Sequence, residues 1–298
     1  MRASSAASPT LAAFGLAHPE LSTLEFAHVY GIEAFTQEMA TVLYCATTMM
    51  ATLFERAGVD DTHGYAHAVA VCRHASAALE VTDPLVAPAR DLAVLLAALL
   101  HDVDDRKYFP DTCTTYTHAA RIMEYAGAPA VVTAEALYMI SLVSCSANGN
   151  SYPAPVVDRP ELLYPRWADR LEAIGVTGVM RCVQYSFKAR TPIAVASTPR
   201  PGSDAGIFAA ATAERFAAYH AGAPSVSIVD HFYDKLLHLA RTPQNLVRNA
   251  YLEREAAARV EPLLAVCRAY SAGGVDAAQQ HFEQLAAKTG ERLDRPGE

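Results

Sequence analysis

Residues 92–100 (LAVLLAALL) form an apolar run that ends in His101-Asp102-Val103-Asp104-Asp105. Leu and Ala dominate it and β-branched residues are few, so it reads as a helix buried on nearly all sides. Its end carries an imidazole and carboxylates out of a dry interior, where unpaired charge is costly. A divalent cation relieves that cost, and so does a solvated acidic turn; the dipeptide alone does not choose between them. His67 lies upstream of this pair and Asp169 downstream. The four offer two imidazoles and two carboxylates, a donor set suited to Mn, Mg, Co, Ni, Fe or Zn. Four protein ligands on an octahedral ion leave positions for water and a phosphate oxygen, in the manner of a catalytic centre rather than of closed structural zinc. Plainer readings stand beside this one. His63 and His67, at i and i+4, also make an ordinary polar helix face. Asp169, expected in the first turn of a helix, would be favoured there by the dipole alone.

The elements that must position these residues are helices. Phe35, Met39, Val42, Leu43, Met49, Met50 and Leu53 give an amphipathic helix over about 33–57, stopped by Gly58. Asp60-Asp61-Thr62 offers an N-cap for a helix over about 62–81 that carries His63, His67 and His74. The apolar run follows Pro84 and Pro88, and further helices are predicted at about 115–127 and 131–144. Residues 146–153 read as a loop, and Pro165 opens a helix that continues through Gly178 and bears Asp169. Gly175 and Gly178, three apart on it, would let another helix approach closely. Residues 188–226, with Pro192, Pro199, Pro201, Gly202 and Pro224, predict a mobile, irregular insertion holding one short helix near 207–220. Helices return at about 228–241 and 244–270, and 271–298 reads as a partly helical polar tail. Residues 1–20, rich in Ala, Ser and Pro, read as a loose tail. Neither strand-like alternation nor a repeat is present. The expected fold is all-α, one helical core over 21–270 with N-terminal and internal extensions.

Composition narrows the function further. The 298 residues are 52% hydrophobic and 19% charged, enough for a large core. A net charge of −8 with scattered Lys and Arg argues against duplex nucleic acid or an anionic membrane as main partner, but not against a nucleotide. The six cysteines include no Cys-x-x-Cys pair and read as reduced thiols of a cytoplasmic protein. Residues 1–20 lack the pattern of a signal peptide. The apolar windows at 39–53 and 92–100 are too short or interrupted to span a bilayer. A homo-oligomer stays open.

Three stretches carry a family likeness: Leu99-Leu100-His101-Asp102-Val103 followed by Asp105-x-Lys107-Tyr108; Ala168-Asp169-Arg170-Leu171-Glu172-Ala173-Ile174-Gly175; and His231-Phe232-Tyr233-x-Lys235-Leu236-Leu237. Over about residues 30–270 the chain resembles the HD-domain metal-dependent phosphohydrolases, whose H…HD…D order is matched by His67, His101-Asp102 and Asp169. Most similar is the branch of small bacterial and plant HD hydrolases acting on nucleoside triphosphates. The resemblance implies one divalent metal ion on His67, His101, Asp102 and Asp169, with a nucleotide as the phosphate ester. It implies cleavage of a (deoxy)nucleoside triphosphate to monophosphate and pyrophosphate. The alternatives are a nucleoside monophosphate phosphatase, a cyclic-nucleotide phosphodiesterase, or a non-catalytic metal- or nucleotide-binding module. Asp105 is similar to the acidic residue after the HD pair in many relatives, expected to donate a proton or orient water. Lys107 and Lys235 are expected to hold phosphate oxygens, with Lys107 also placed in the catalytic set, and His63 and His231 to line the cavity. His74 and His118 are expected at the surface, and Arg170 paired with a carboxylate. The chain departs from that branch at Val143–Gly149, at 188–226 and at 1–20.

Overall fold

The computed structural model describes residues 37–60, 63–82, 87–241 and 243–290. Among these residues there is no strand, and the fold is all-α as predicted. Backbone packing divides the chain into two compact units. One comprises the described residues up to Val143 together with Glu161–Arg166, and the other comprises Ser144–Pro160 and the residues from Trp167 on. The tail reading of 1–20 and the N-cap expected at Asp61-Thr62 lie outside the described residues.

The first unit holds α1 (Gln37–Ala57), α2 (Tyr65–Glu80), α3 (Pro88–Leu100), α4 (Thr117–Ala126) and α5 (Ala130–Val143). Its centre is α3, where every residue from Leu92 to Leu100 is buried against α1, α2 and α5. Each Leu buried there contributes about 1.5–3 kcal/mol, so α3 is the rigid post from which His101 and Asp102 emerge. Pro88 at its start suits the first helical turn, which needs no donor. Helix α2 begins at Tyr65, with Gly64 at the N-cap. His74, expected at the surface, is buried instead. Seven residues on from His67 it falls on the same helical face, with Val71 and Ala78, and that face is turned inward.

The second unit holds α6 (Cys145–Asn148), the Trp167–Ala173 part of α7 (Tyr164–Ala173), and α8 (Gly175–Lys188). The helix predicted to run on through Gly178 is broken. Ile174 is extended and Gly175 has φ +77°, a left-handed backbone open to glycine. A Cβ on Gly178 would sit 2.3 Å from the backbone of Ala173. Gly178 therefore lets α8 fold back onto the end of α7, while Gly175 admits the expected close neighbour, since a Cβ there would lie 3.3 Å from the Arg259 side chain of a later helix.

Residues 188–226 are irregular over 189–203 and 221–226 but hold two short helices where one was expected. They carry α9 (Asp204–Ala210) and α10 (Ala213–His220), capped by the Ser203 and Thr212 hydroxyls. They are also fastened: the buried Asp230 carboxylate accepts from Thr198, Ser227 and Arg215, while Arg200 donates to the Ser271 carbonyl. The helix predicted over 228–241 is α11 (Ile228–His231), a π turn (Phe232–Leu236) and α12 (Leu237–Ala240). The next predicted helix is broken into α13 (Gln244–Val247), α14 (Ala250–Arg259) and α15 (Glu261–Thr289), the last bent at Gly274. Beyond that bend Ala278, Phe282, Leu285 and Ala286 are buried, so the helix expected in part of 271–298 runs to Thr289 and packs an apolar face. No helix among the described residues is long and apolar enough to cross a membrane.

Candidate metal centre

Three carboxylates follow the C-terminus of α3, the negative end of its dipole, where each needs compensation. Asp104 is buried and accepts the backbone N–H groups of His118 (3.2 Å) and Ala119 (2.9 Å), capping α4 from outside. Its Oδ1 also bonds the His118 ring at 2.9 Å, so His118, expected at the surface, is half-buried and partnered. Asp105 accepts the backbone N–H of Lys107 at 2.8 Å, a local turn, and its own N–H donates to the Asp102 carbonyl one turn back. Asp102 is compensated by histidines.

His101 Nδ1 lies 2.9 Å from the Ala98 carbonyl, which can only accept, so Nδ1 carries the hydrogen. In the neutral ring the lone pair is then on Nε2, the atom 3.3 Å from Asp102 Oδ2. His67 Nε2 lies 3.6 Å from the same oxygen, and the two rings meet edge-on with centroids 5.2 Å apart. A lone pair facing a carboxylate oxygen is repelled unless a proton or a metal ion lies between them. A second imidazole aimed at the same oxygen favours the ion. Ligand atoms each about 2.1 Å from one cation are themselves about 3.0–3.4 Å apart, close to the separations here. Burial alone would raise the Asp102 pKa; with a proton on the rings in place of the ion, His101, His67 and His63 outweigh burial and hold the carboxyl well below the usual range. The donor set fits a divalent cation, and α2 and α3 bring His67, His101 and Asp102 together to form it. His63 stands at the exposed rim, 3.5 Å from Asp60 Oδ1 and 6.5 Å between ring centroids from His67.

The remaining expected residues are placed as follows. Lys107 Nζ pairs with Asp60 Oδ2 at 3.0 Å, both side chains about half exposed, so its charge already has a carboxylate partner. Asp169 lies on α7, the one partly exposed residue between Tyr164 and Arg170. Because α7 starts at Tyr164, Asp169 is beyond the first turn and the helix dipole does not explain it. Arg170 donates to the Gly149 carbonyl (2.6 Å) and the Asn150 side-chain oxygen (2.8 Å) and stacks on Trp167. It braces the loop after α6 through an amide and a carbonyl; burial lowers its pKa, against which Cys145 and the Asp169 carboxylate act.

Lys235 sits in the π turn, a widened turn frequent at functional sites. Burial would lower its pKa, but the Tyr219 phenol, Cys145 and Asp169 outweigh that and keep it charged. His231 is held neutral, its pKa pushed down to about 3 by burial and by Lys235. Its Nδ1 is 3.2 Å from the Ser225 hydroxyl, and its ring meets Tyr219 edge-on at 5.3 Å. Tyr219 falls in the short helix expected near 207–220, but nothing in the sequence linked that helix to Lys235 or His231.

No family model matches the chain. Over 214 residues it is 34% identical to the uncharacterized protein L803 of Acanthamoeba polyphaga mimivirus, an alignment spanning 68% of this chain and 85% of that protein. A crystal structure of a Lactobacillus plantarum protein, a structural-genomics target, matches with a TM-score of 0.53 at 20% identity, over 86% of this chain and 98% of that one. At that identity the likeness concerns the fold. The extent of the mimivirus alignment decides kinship: the chain belongs to the family of mimivirus protein L803.

Proposed function

We propose that this protein is a divalent-metal-dependent phosphohydrolase of the HD-domain type that acts on nucleotides in the cytoplasm. Its most specific form is cleavage of a (deoxy)nucleoside triphosphate to monophosphate and pyrophosphate. The observation that carries the reading is the convergence of two imidazole Nε2 atoms on Asp102 Oδ2. Asp169 is the fourth ligand on the strength of the motif order. His67, His101, Asp102 and Asp169 would hold a divalent ion, which when bound would supply Lewis acidity toward a water and a phosphoryl oxygen.

The chain's own residues supply position and charge, which phosphoryl transfer needs more than covalent help. The Ala98 carbonyl holds His101 in the tautomer that presents Nε2. Lys235, kept charged, grips a phosphate oxygen, and neutral His231 lines the same wall. Asp105, one turn beyond Asp102, orients water or passes a proton to the leaving group. Lys107 joins only by exchanging Asp60 for a phosphate, and with His63 it belongs to the rim.

The test is a nucleotide panel with Mn, Mg and Co, run beside Asp102→Ala. Pyrophosphate from a triphosphate is the expected product. Inorganic phosphate or a ring-opened monophosphate would move the substrate to a monophosphate or a cyclic nucleotide. Tight nucleotide binding with no turnover under any metal would overturn the enzyme in favour of a sensor. Asp102→Ala should abolish turnover with an unchanged helical circular-dichroism spectrum.

A further inference from the structure

Both lysines expected at the phosphates lie beside a tyrosine ring, Lys107 Nζ 4.9 Å from the Tyr108 centroid and Lys235 Nζ 5.6 Å from the Tyr219 centroid. They differ in charge: Lys107 is also neutralised by the Asp60 carboxylate at 3.0 Å, whereas the ring beside Lys235 comes from α10. A phenol supports an ammonium without cancelling its charge, so the cation stays available to an anion. The Lys side chain is long and flexible, and an unheld ammonium loses much freedom when it grips a ligand.

The placement of Tyr219 is built with care. Arg215, four residues before it, shares its face of α10. The Arg215 guanidinium spans Asp230 Oδ1 at 2.6 Å and Asp234 Oδ1 at 2.7 Å, the second adjacent to Lys235 in the chain. Phe216 stacks on His238 at 4.6 Å, just past the π turn. Helix α10 is therefore clamped along the segment that carries His231 and Lys235, and Tyr219 is the side chain that touches both.

We propose that Tyr219 is a positioning residue, which aims the Lys235 ammonium at the polyphosphate tail of a nucleotide. The helical pair α9–α10 serves to deliver it. This inference rests on the phosphohydrolase reading above.

The experiment measures nucleoside triphosphate kinetics, and binding of inorganic tripolyphosphate by calorimetry, for Tyr219→Leu, Tyr219→Phe, Lys235→Met and the Tyr219→Leu/Lys235→Met double variant. Tyr219→Leu should raise KM and the tripolyphosphate Kd about tenfold, with kcat little changed. Tyr219→Phe, which keeps the ring, should fall between wild type and Tyr219→Leu. In the Lys235→Met background, Tyr219→Leu should add nothing, since its effect passes through the lysine. Wild-type KM and Kd in Tyr219→Leu, or a full additional loss in the double variant, would overturn the inference while the activity stands. A wild-type protein that neither turns over any nucleotide nor binds tripolyphosphate would overturn the phosphohydrolase reading and this inference with it.

Discussion

Asp104 Oδ2 accepts the backbone N–H of Ala119 at 2.9 Å, fastening the chain that leaves α3 to the start of α4 two residues beyond Asp102. The N-cap position of α4 is Tyr116, a bulky residue at φ +51° whose own side chain caps nothing. Asp104 supplies the missing acceptor. Asp104→Ala should cost about 2 kcal/mol, because it leaves buried helix-terminal donors unsatisfied. Urea denaturation measures the loss. Divalent-metal affinity should fall with it, because the turn bearing Asp102 loses its anchor, and unchanged stability would show that α4 does not need this cap.

If His67, His101 and Asp102 hold a cation, the ion binds the folded chain and not the unfolded one. At 100 times its Kd, Mn should then stabilise the protein by about 2.7 kcal/mol, with a raised Tm that chelation reverses. Asp102→Ala should abolish the shift. Equal Tm values with and without Mn, Mg and Co would remove the cation from the account of this cluster.

How much of this was legible in the residues is best judged from particular elements. The apolar run 92–100 is buried on every side, and its end carries the cluster, as its composition implied. Helical periodicity also placed α1, α4 and α5 nearly to their ends. The failures came where a long-range partner decided the outcome. His118 alone is a polar surface residue; the buried Asp104 fourteen positions back draws it in. The prolines of 188–226 suggested irregular chain with one short helix near 207–220; the structure has two, and the one that carries Arg215 is tied by its guanidinium to the Asp230 carboxylate, a partner outside the segment. The π turn at Phe232–Leu236 leaves no trace in periodicity, since one extra residue in a turn does not change which residues are apolar.

Asp91, in the first turn of α3, has one carboxylate oxygen buried without a hydrogen bond. The helix dipole favours its charge there, yet burial wins and pushes its pKa up to about 6. An unfolded aspartate titrates near 3.9. The folded state therefore binds the proton more tightly, and this group's contribution is fully present below about pH 4 and lost as pH rises through about 6. Asp91→Asn should be more stable than wild type at pH 7–8, with the advantage vanishing by about pH 4. Thermal unfolding of both proteins from pH 4 to 8 checks it, and a pH-independent difference would show that packing and not charge is responsible.

The hinge between α7 and α8 offers a sharper test of how Asp169 is positioned. A Cβ on Gly178 would meet the Ala173 backbone at 2.3 Å, and backbone cannot rotate aside as a flexible side chain does. Gly178→Ala should therefore force the hinge open, at the cost of about 1–3 kcal/mol typical of overpacking. Gly202→Ala is the control, because nothing lies within 4 Å of a Cβ there. Asp169 is four residues before Ala173 on the helix that would move, so Gly178→Ala should weaken divalent-metal binding as well as stability, whereas Gly202→Ala should change neither. Loss of stability with full metal affinity would separate the hinge from the ion and count against Asp169 as a ligand.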